Sequence, residues 1–193
     1  MTAGRMNDTH NPAAAPIYPN CPATLREIRI GGMSKSDLLN ALQAERVQLN
    51  EAALTLFTHG EFTTSPSVSL VLTVELTVAD LGFDKGATIA QIHASAAAHG
   101  LSLCRLELAP ALRLQYLDQP EGHVGRPPSQ NRAPPGSITV ASTELSGDED
   151  TPKGFYLRRI EGALWLRAYR SGPEHVWSPE DHFVFCHPPN AAL

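Results

Sequence analysis

Five residues near the C-terminus could together grip a partner: Tyr156, Arg158, Trp165, Arg167 and Tyr169. Glu161-Gly162 lies between two apolar-patterned runs and has the composition of a two-residue hairpin turn. If the chain turns there, Arg158 opposes Trp165 and Tyr156 opposes Arg167, so guanidinium groups can stack on rings across the strands. Phe155, Leu157, Leu164, Leu166 and Ala168 then share the other face, with Arg159 among them near the turn. An aromatic–Arg face of this kind suits an acidic peptide, a single-stranded nucleic acid or a nucleotide base. The plainer reading is an ordinary outer sheet face, or one covered by a loop or a partner. No RNP signature accompanies the pattern, so an RNA-recognition domain is not indicated.

A second group is Asp118, Glu121 and His123, oxygen and imidazole donors within six residues. A turn could bring them together as acid–base groups or metal ligands. Catalytic metal sites want three or more convergent protein ligands, and no H-E-x-x-H or H-x-H completes this one. A solvated turn is the simpler expectation. A third group is Asp181, His182, Cys186 and His187. On a strand, Cys186 and His182 share a side but stand about 13 Å apart, too far for a direct hydrogen bond. Cys186 therefore reads as a structural thiol. Cys21, Cys104 and Cys186 contain no C-x-x-C pair, which argues against a zinc ribbon or a thioredoxin-like site.

Other chemistries are excluded by what the chain lacks. It has no G-x-x-x-x-G-K-[ST], no G-x-G-x-x-G, no G-x-S-x-G elbow and no kinase signature set. No cofactor is expected. Fifteen Lys and Arg against twenty Asp and Glu give a net charge of −5, which argues against a dedicated duplex-DNA binder. No run reaches the eighteen or so apolar residues of a membrane span, and residues 1–24 lack a signal-peptide core. A cytoplasmic protein without a membrane partner is the expectation.

The 193 residues, 42% hydrophobic, suit one domain. Residues 1–24 read as a disordered tail, 25–187 as a single α+β domain and 188–193 as a second tail. Arg26 to Ile30 alternates weakly as a short strand. Ser34 with Asp37 resembles a capping box opening a helix with a Leu38, Leu39, Leu42 stripe. Asn50 caps a second helix, with Ala53, Leu54 and Phe57 expected inward. Residues 68–78 alternate apolar and polar as a half-buried strand. Thr77 with Asp80 marks a helical turn, and Thr88 caps a helix stopped by Gly100. Residues 101–108 and 112–117 read as strands parted by Pro110, completing a β–α–β unit. The Pro- and Gly-rich stretch 119–136, with Arg126 and Arg132, reads as one long loop, either functional or disordered. Strands then follow at 137–142, in the hairpin, and around 175–177 and 183–186. The fold class is α+β: mainly antiparallel sheet, a C-terminal β-hairpin, and short helices in the N-terminal half.

The segments SKSDLLNAL, VQLNEAALTLF, LGFDKGATIAQI, GLSLCRLEL, LRLQYLDQPEG, PPGSITVAS, PKGFYLRRIEGALWLRAYRS and HVWSPEDHFVFC span residues 34–186. Together they resemble a family of small uncharacterised bacterial proteins, some carrying a "helicase" label that this chain, with no phosphate-binding loop, does not support. The resemblance implies a single bacterial domain and transfers no catalytic residue. The expectation is a non-enzymatic binding or regulatory protein using the aromatic–Arg hairpin face. Its partner would be a protein or peptide first and single-stranded nucleic acid second, with a homo-oligomer as a third class. The alternative is a small enzyme or ligand-binding protein with a cleft between residues 118–136 and the hairpin. There Arg158, Arg167 and Tyr156 would hold an anionic substrate beside Asp118, Glu121 or His123.

Overall fold

The computed structural model describes residues 16–123 and 133–188; Arg126, Arg132 and both chain ends beyond these limits lie outside the described residues. In chain order the elements are β1 (Thr24–Ile30), α1 (Lys35–Ala44), β2 (Gln48–Leu49), α2 (Glu51–Thr58), β3 (Ser69–Thr77), a 3₁₀ turn (Ala79–Leu81), β4 (Ala87–Thr88) and α3 (Ile89–Ala98). They continue with α4 (Leu108–Gln115), β5 (Ile138–Val140), β6 (Gly154–Ile160), β7 (Ala163–Tyr169), β8 (Val176–Trp177) and β9 (His182–Cys186). The α+β class holds. Seven strands form one sheet in the order β1-β3-β9-β5-β6-β7-β2, and β4 pairs with β8 apart from it. Most pairings are antiparallel; β2–β7 and β5–β9 are parallel, so the large sheet is mixed. Among the described residues, no helix is long and apolar enough to cross a membrane.

Local chemistry sets the helix starts. Ser34 and Asp37 form a reciprocal capping box on α1, as do Thr88 and Gln91 on α3. Asn50 caps α2 through Ala53 N–H, and Thr77 and Asp80 bond to each other around the 3₁₀ turn. Leu54, expected inward on α2, is exposed; Ala52, Ala53, Leu56 and Phe57 form the buried face instead. Part of the expected disordered tail is docked on the domain: Tyr18 N–H donates to Asp80 C=O at 2.8 Å and its ring meets His99 edge-on.

Residues 108–115 correct the expected strand pair. Leu108–Gln115 is helical, with Pro110 in its first turn, where a missing N–H costs nothing. Upstream of it the chain makes only isolated bridges, Ser102 to Cys186 and Cys104 to Ser142. The expected β–α–β unit does not form among the described residues, because no strand follows α3 before α4.

The sheet carries a core on each side. Ile28, Val140, Phe155, Leu157, Leu166 and Val184 pack under α1, α2 and α4 on the first face. Val74, Leu76, Phe183 and Phe185 pack against α3, the 3₁₀ turn and Trp177 on the second. Pairing then defines one row across the second face: Leu76, Phe183, Thr139, Tyr156 and Arg167 on β3, β9, β5, β6 and β7. This row is fully buried at Leu76, Phe183 and Thr139 and only half-buried at Tyr156 and Arg167. Along this row the second core therefore ends at β5, while Tyr169 further along β7 still packs against it.

Candidate functional site

The hairpin register is the expected one: Phe155 pairs with Ala168, Tyr156 with Arg167 and Arg158 with Trp165. Glu161 (φ 52°) and Gly162 (φ 76°) both adopt the left-handed region, which a type I′ turn requires and which matches the right-handed strand twist. Alternation then sends Phe155, Leu157, Leu166 and Ala168 into the first core and leaves Tyr156, Arg158, Trp165, Arg167 and Tyr169 on the second face.

On that face the side chains divide into two neighbouring groups. Toward the turn, Arg167 Cζ lies 5.2 Å from the centroid of the Trp165 ring. This cation–π contact runs along one strand, between residues two apart, rather than across from Arg158 as the sequence suggests. Arg167 also stands directly opposite Tyr156 across the strands. Burial raises the Tyr156 phenol above its ordinary pKa, against the pull of Arg167 and Arg158, so it remains a neutral hydroxyl. Burial likewise lowers the Arg158 guanidinium, with Arg167 adding like-charge repulsion.

At the other end of β7, Tyr169 folds over Gly154, where an added Cβ would lie 3.3 Å from the phenol oxygen. Burial drives this phenol far above its usual range. Tyr169 and Trp177 meet edge-to-face at 5.4 Å, and His175 meets Trp177 in the same way at 5.0 Å. Together with Tyr156, Thr139, Ser137 and Arg170 they line a cleft of about 260 Å³, bordered by Ala133 and Pro134. Burial lowers the His175 pKa, favouring a neutral ring in the cleft wall. Reasoning from the sequence misses His175, Trp177 and Thr139 as site residues; the two-residue spacing of the His175 and Trp177 rings is the signal that marks them.

Three donors here lack acceptors. Arg158 Nε, Arg167 Nε and Trp177 Nε1 are buried with no hydrogen-bond partner among the described residues. Neither Arg158 nor Arg167 has a carboxylate within 4.0 Å among those residues, whereas Arg26, Arg105 and Arg159 each have one.

Asp118, Glu121 and His123 lie at the turn end of the hairpin, and all three are exposed. Glu121 is occupied structurally: Oε2 lies 3.4 Å from Arg159 Nε and Oε1 accepts Gly162 N–H at 3.2 Å. Among the described residues no group of three His, Cys, Asp or Glu is arranged to hold a metal. Behind this segment, buried Arg113 donates to Gln119 Oε1 at 2.5 Å and to the Tyr116 carbonyl; Gln119 donates in turn to Gly136 C=O at 3.1 Å. Burial lowers the Arg113 pKa to about 10, helped by repulsion from Arg159. These bonds fix both described ends of the 119–136 segment beside the hairpin.

His182 and Cys186 share the first face of β9, as alternation requires, and neither reaches the cleft. Comparison with protein-family models, with curated proteins and with solved structures yields no match.

Proposed function

We propose that this chain is a non-enzymatic binding protein whose second hairpin face receives an acidic protein segment bearing an aromatic side chain. The observation that carries this reading is the set of buried donors without an acceptor among the described residues, Arg158 Nε, Arg167 Nε and Trp177 Nε1, around an open aromatic surface. An unsatisfied buried donor costs on the order of 1–3 kcal/mol, more when charged, and a bound carboxylate or carbonyl removes that cost. Carboxylates of the partner pair with Arg158 and Arg167, while a partner ring enters the cleft of Tyr156, Tyr169, His175 and Trp177. A side-chain-sized space of about 260 Å³ suits one ring better than a whole metabolite.

Tryptophan fluorescence titration tests this reading, because Trp165 and Trp177 both report on the surface. The ligands are short peptides mixing Asp or Glu with Trp or Tyr, lysine-rich peptides of the same aromatic content, and a single-stranded oligothymidylate. Saturable binding of the acidic aromatic peptides is expected, weakened at least tenfold in Arg167→Gln and in Trp165→Ala. Tighter binding of the oligothymidylate, or no difference between acidic and basic peptides, overturns it.

A further inference from the structure

Cys104 and Cys186 are 82 residues apart in sequence, yet their sulfurs lie 2.9 Å from each other. Both are free thiols. Their approach is set by backbone on both sides. Ser102 and Cys186 exchange N–H···O=C bonds of 2.9 Å in each direction, and Cys104 N–H donates to Ala141 C=O at 2.7 Å. The segment carrying Cys104 is thus tied across the ends of β9 and β5, with Cys104 buried and Cys186 half-buried. A further approach of about 0.9 Å reaches the S–S bond length of about 2.05 Å.

We propose that Cys104 and Cys186 are a redox-active dithiol that hydrogen peroxide converts into an intramolecular disulfide. The first step is attack of the Cys186 thiolate on one peroxide oxygen. An S–O bond forms, the O–O bond breaks, and the departing hydroxide takes a proton to become water, leaving Cys186 as a sulfenic acid. Cys104 then gives up its thiol proton and attacks the Cys186 sulfur. The S–S bond forms, the S–O bond breaks, and the second oxygen leaves as water. In sum, two thiols and one hydrogen peroxide give one disulfide and two waters, a two-electron oxidation of sulfur matched by a two-electron reduction of peroxide.

The surroundings assign the two roles. Once Cys186 is deprotonated, Cys104 S–H is the donor between the sulfurs, and that bond lowers the Cys186 pKa against the effect of burial. Burial raises Cys104 well above an ordinary thiol, which suits the resolving partner. Cys21 is an internal control. It packs against the second core, and burial, followed by the neighbouring Asp80, raises its pKa. Peroxide should therefore find Cys186 before Cys21. This inference is independent of the partner-binding reading, since both sulfurs belong to the first core.

The test uses reduced full-length chain under air-free conditions, given equimolar hydrogen peroxide, then alkylated and peptide-mapped. Before alkylation the expected product is a monomer lighter by two hydrogen atoms; after it, Cys104 and Cys186 form one linked peptide pair and Cys21 carries the alkyl group, with full reversal of the link by dithiothreitol. The Cys21→Ser protein should behave identically, and Cys104→Ser should halt at a Cys186 sulfenic acid trapped by dimedone. Wild type and Cys21→Ser decide the matter by themselves, because Cys104→Ser alters a core position. Alkylation of all three cysteines, prior oxidation of Cys21, or linkage only between molecules overturns the proposal.

Discussion

Glu75 and His182, 107 residues apart in sequence, meet across β3 and β9 with the imidazole Nδ1 2.8 Å from the carboxylate Oε1. The other carboxylate oxygen receives Arg26 Nη1 at 2.6 Å, and Arg26 in turn lies over the Tyr116 ring. Burial acts to raise the Glu75 pKa, but the hydrogen bonds from His182 and Arg26 outweigh it and the net shift is downward. The Glu75 bond raises the His182 pKa despite partial burial. The two groups therefore stabilise the fold over overlapping ranges. The Glu75 contribution is present above the ordinary carboxylate value of about 4.3 and is lost as pH falls through its depressed folded value. The His182 contribution is fully present below about 6.5 and is lost as pH rises through its raised folded value. Thermal melts of wild type and His182→Gln should differ most near about pH 5.5, between the ordinary carboxylate and imidazole values, and the gap should shrink as pH rises through the raised His182 value. A gap that stays constant over that range means that the pair contributes nothing pH-dependent.

Asn50 joins a helix start to a sheet edge. Its Oδ1 accepts both Ala53 N–H at 3.0 Å and Ala168 N–H at 2.9 Å, and its Nδ2 donates to Ala168 C=O at 3.0 Å. The side chain thus caps α2 and continues the pairing of β7 beyond Leu49, where β2 ends. Replacement by Ala removes a cap worth about 1 kcal/mol and leaves two strand groups without their partner at about 0.5–1.5 kcal/mol each. Urea unfolding of Asn50→Ala should show a loss of about 2–4 kcal/mol with an unchanged m value. A loss near that of an ordinary cap alone would show that water replaces Asn50 at Ala168.

The contrast between the hairpin and α4 shows what one sequence can reveal. The hairpin is readable down to single pairs because period-two alternation and the Glu161-Gly162 turn fix one register, and a slip would turn Phe155 and Leu157 out of the core. The capping box at Ser34 and the cap at Thr88 are readable because they act within three residues. Residues 108–115 are not. In Leu-Ala-Pro-Ala-Leu-Arg-Leu-Gln the apolar residues fit either period, and Pro110 looks like a break between strands although the first turn of a helix tolerates it. Arg113 also gives no sign of being buried, because its acceptors, Gln119 and the Tyr116 carbonyl, are met only through the irregular turn that follows α4. Of the binding surface, Tyr156, Arg158, Trp165, Arg167 and Tyr169 are visible as one face. The cleft is not, because Thr139 reaches it only through the nonlocal strand order β9-β5-β6 and Trp177 comes from β8, which pairs with β4 apart from that sheet. The approach of Cys104 to Cys186 is hidden for the same reason, since it depends on backbone bonds between distant segments.

Gly122 is where the two described ends of the 119–136 segment cross. Its N–H donates to Arg159 C=O at 2.8 Å, and an added Cβ would lie 2.6 Å from Pro135 O and 3.0 Å from Arg159 O. Both obstacles are backbone atoms, so a methyl group there must displace either Pro135 or the end of β6. Pro135 is adjacent to Pro134, which borders the cleft, so the displacement carries into the proposed binding surface. Gly122→Ala should destabilise the fold by about 1–3 kcal/mol, as overpacking typically does, and should weaken acidic-peptide binding without touching the ligand. His123→Ala, one residue along and exposed, should leave both quantities within about 0.5 kcal/mol of wild type. Fluorescence titration and urea unfolding of the two variants side by side check this expectation. If Gly122→Ala keeps wild-type affinity while losing stability, the base of the 119–136 segment does not shape the cleft, and the donors on β6 and β7 bind on their own.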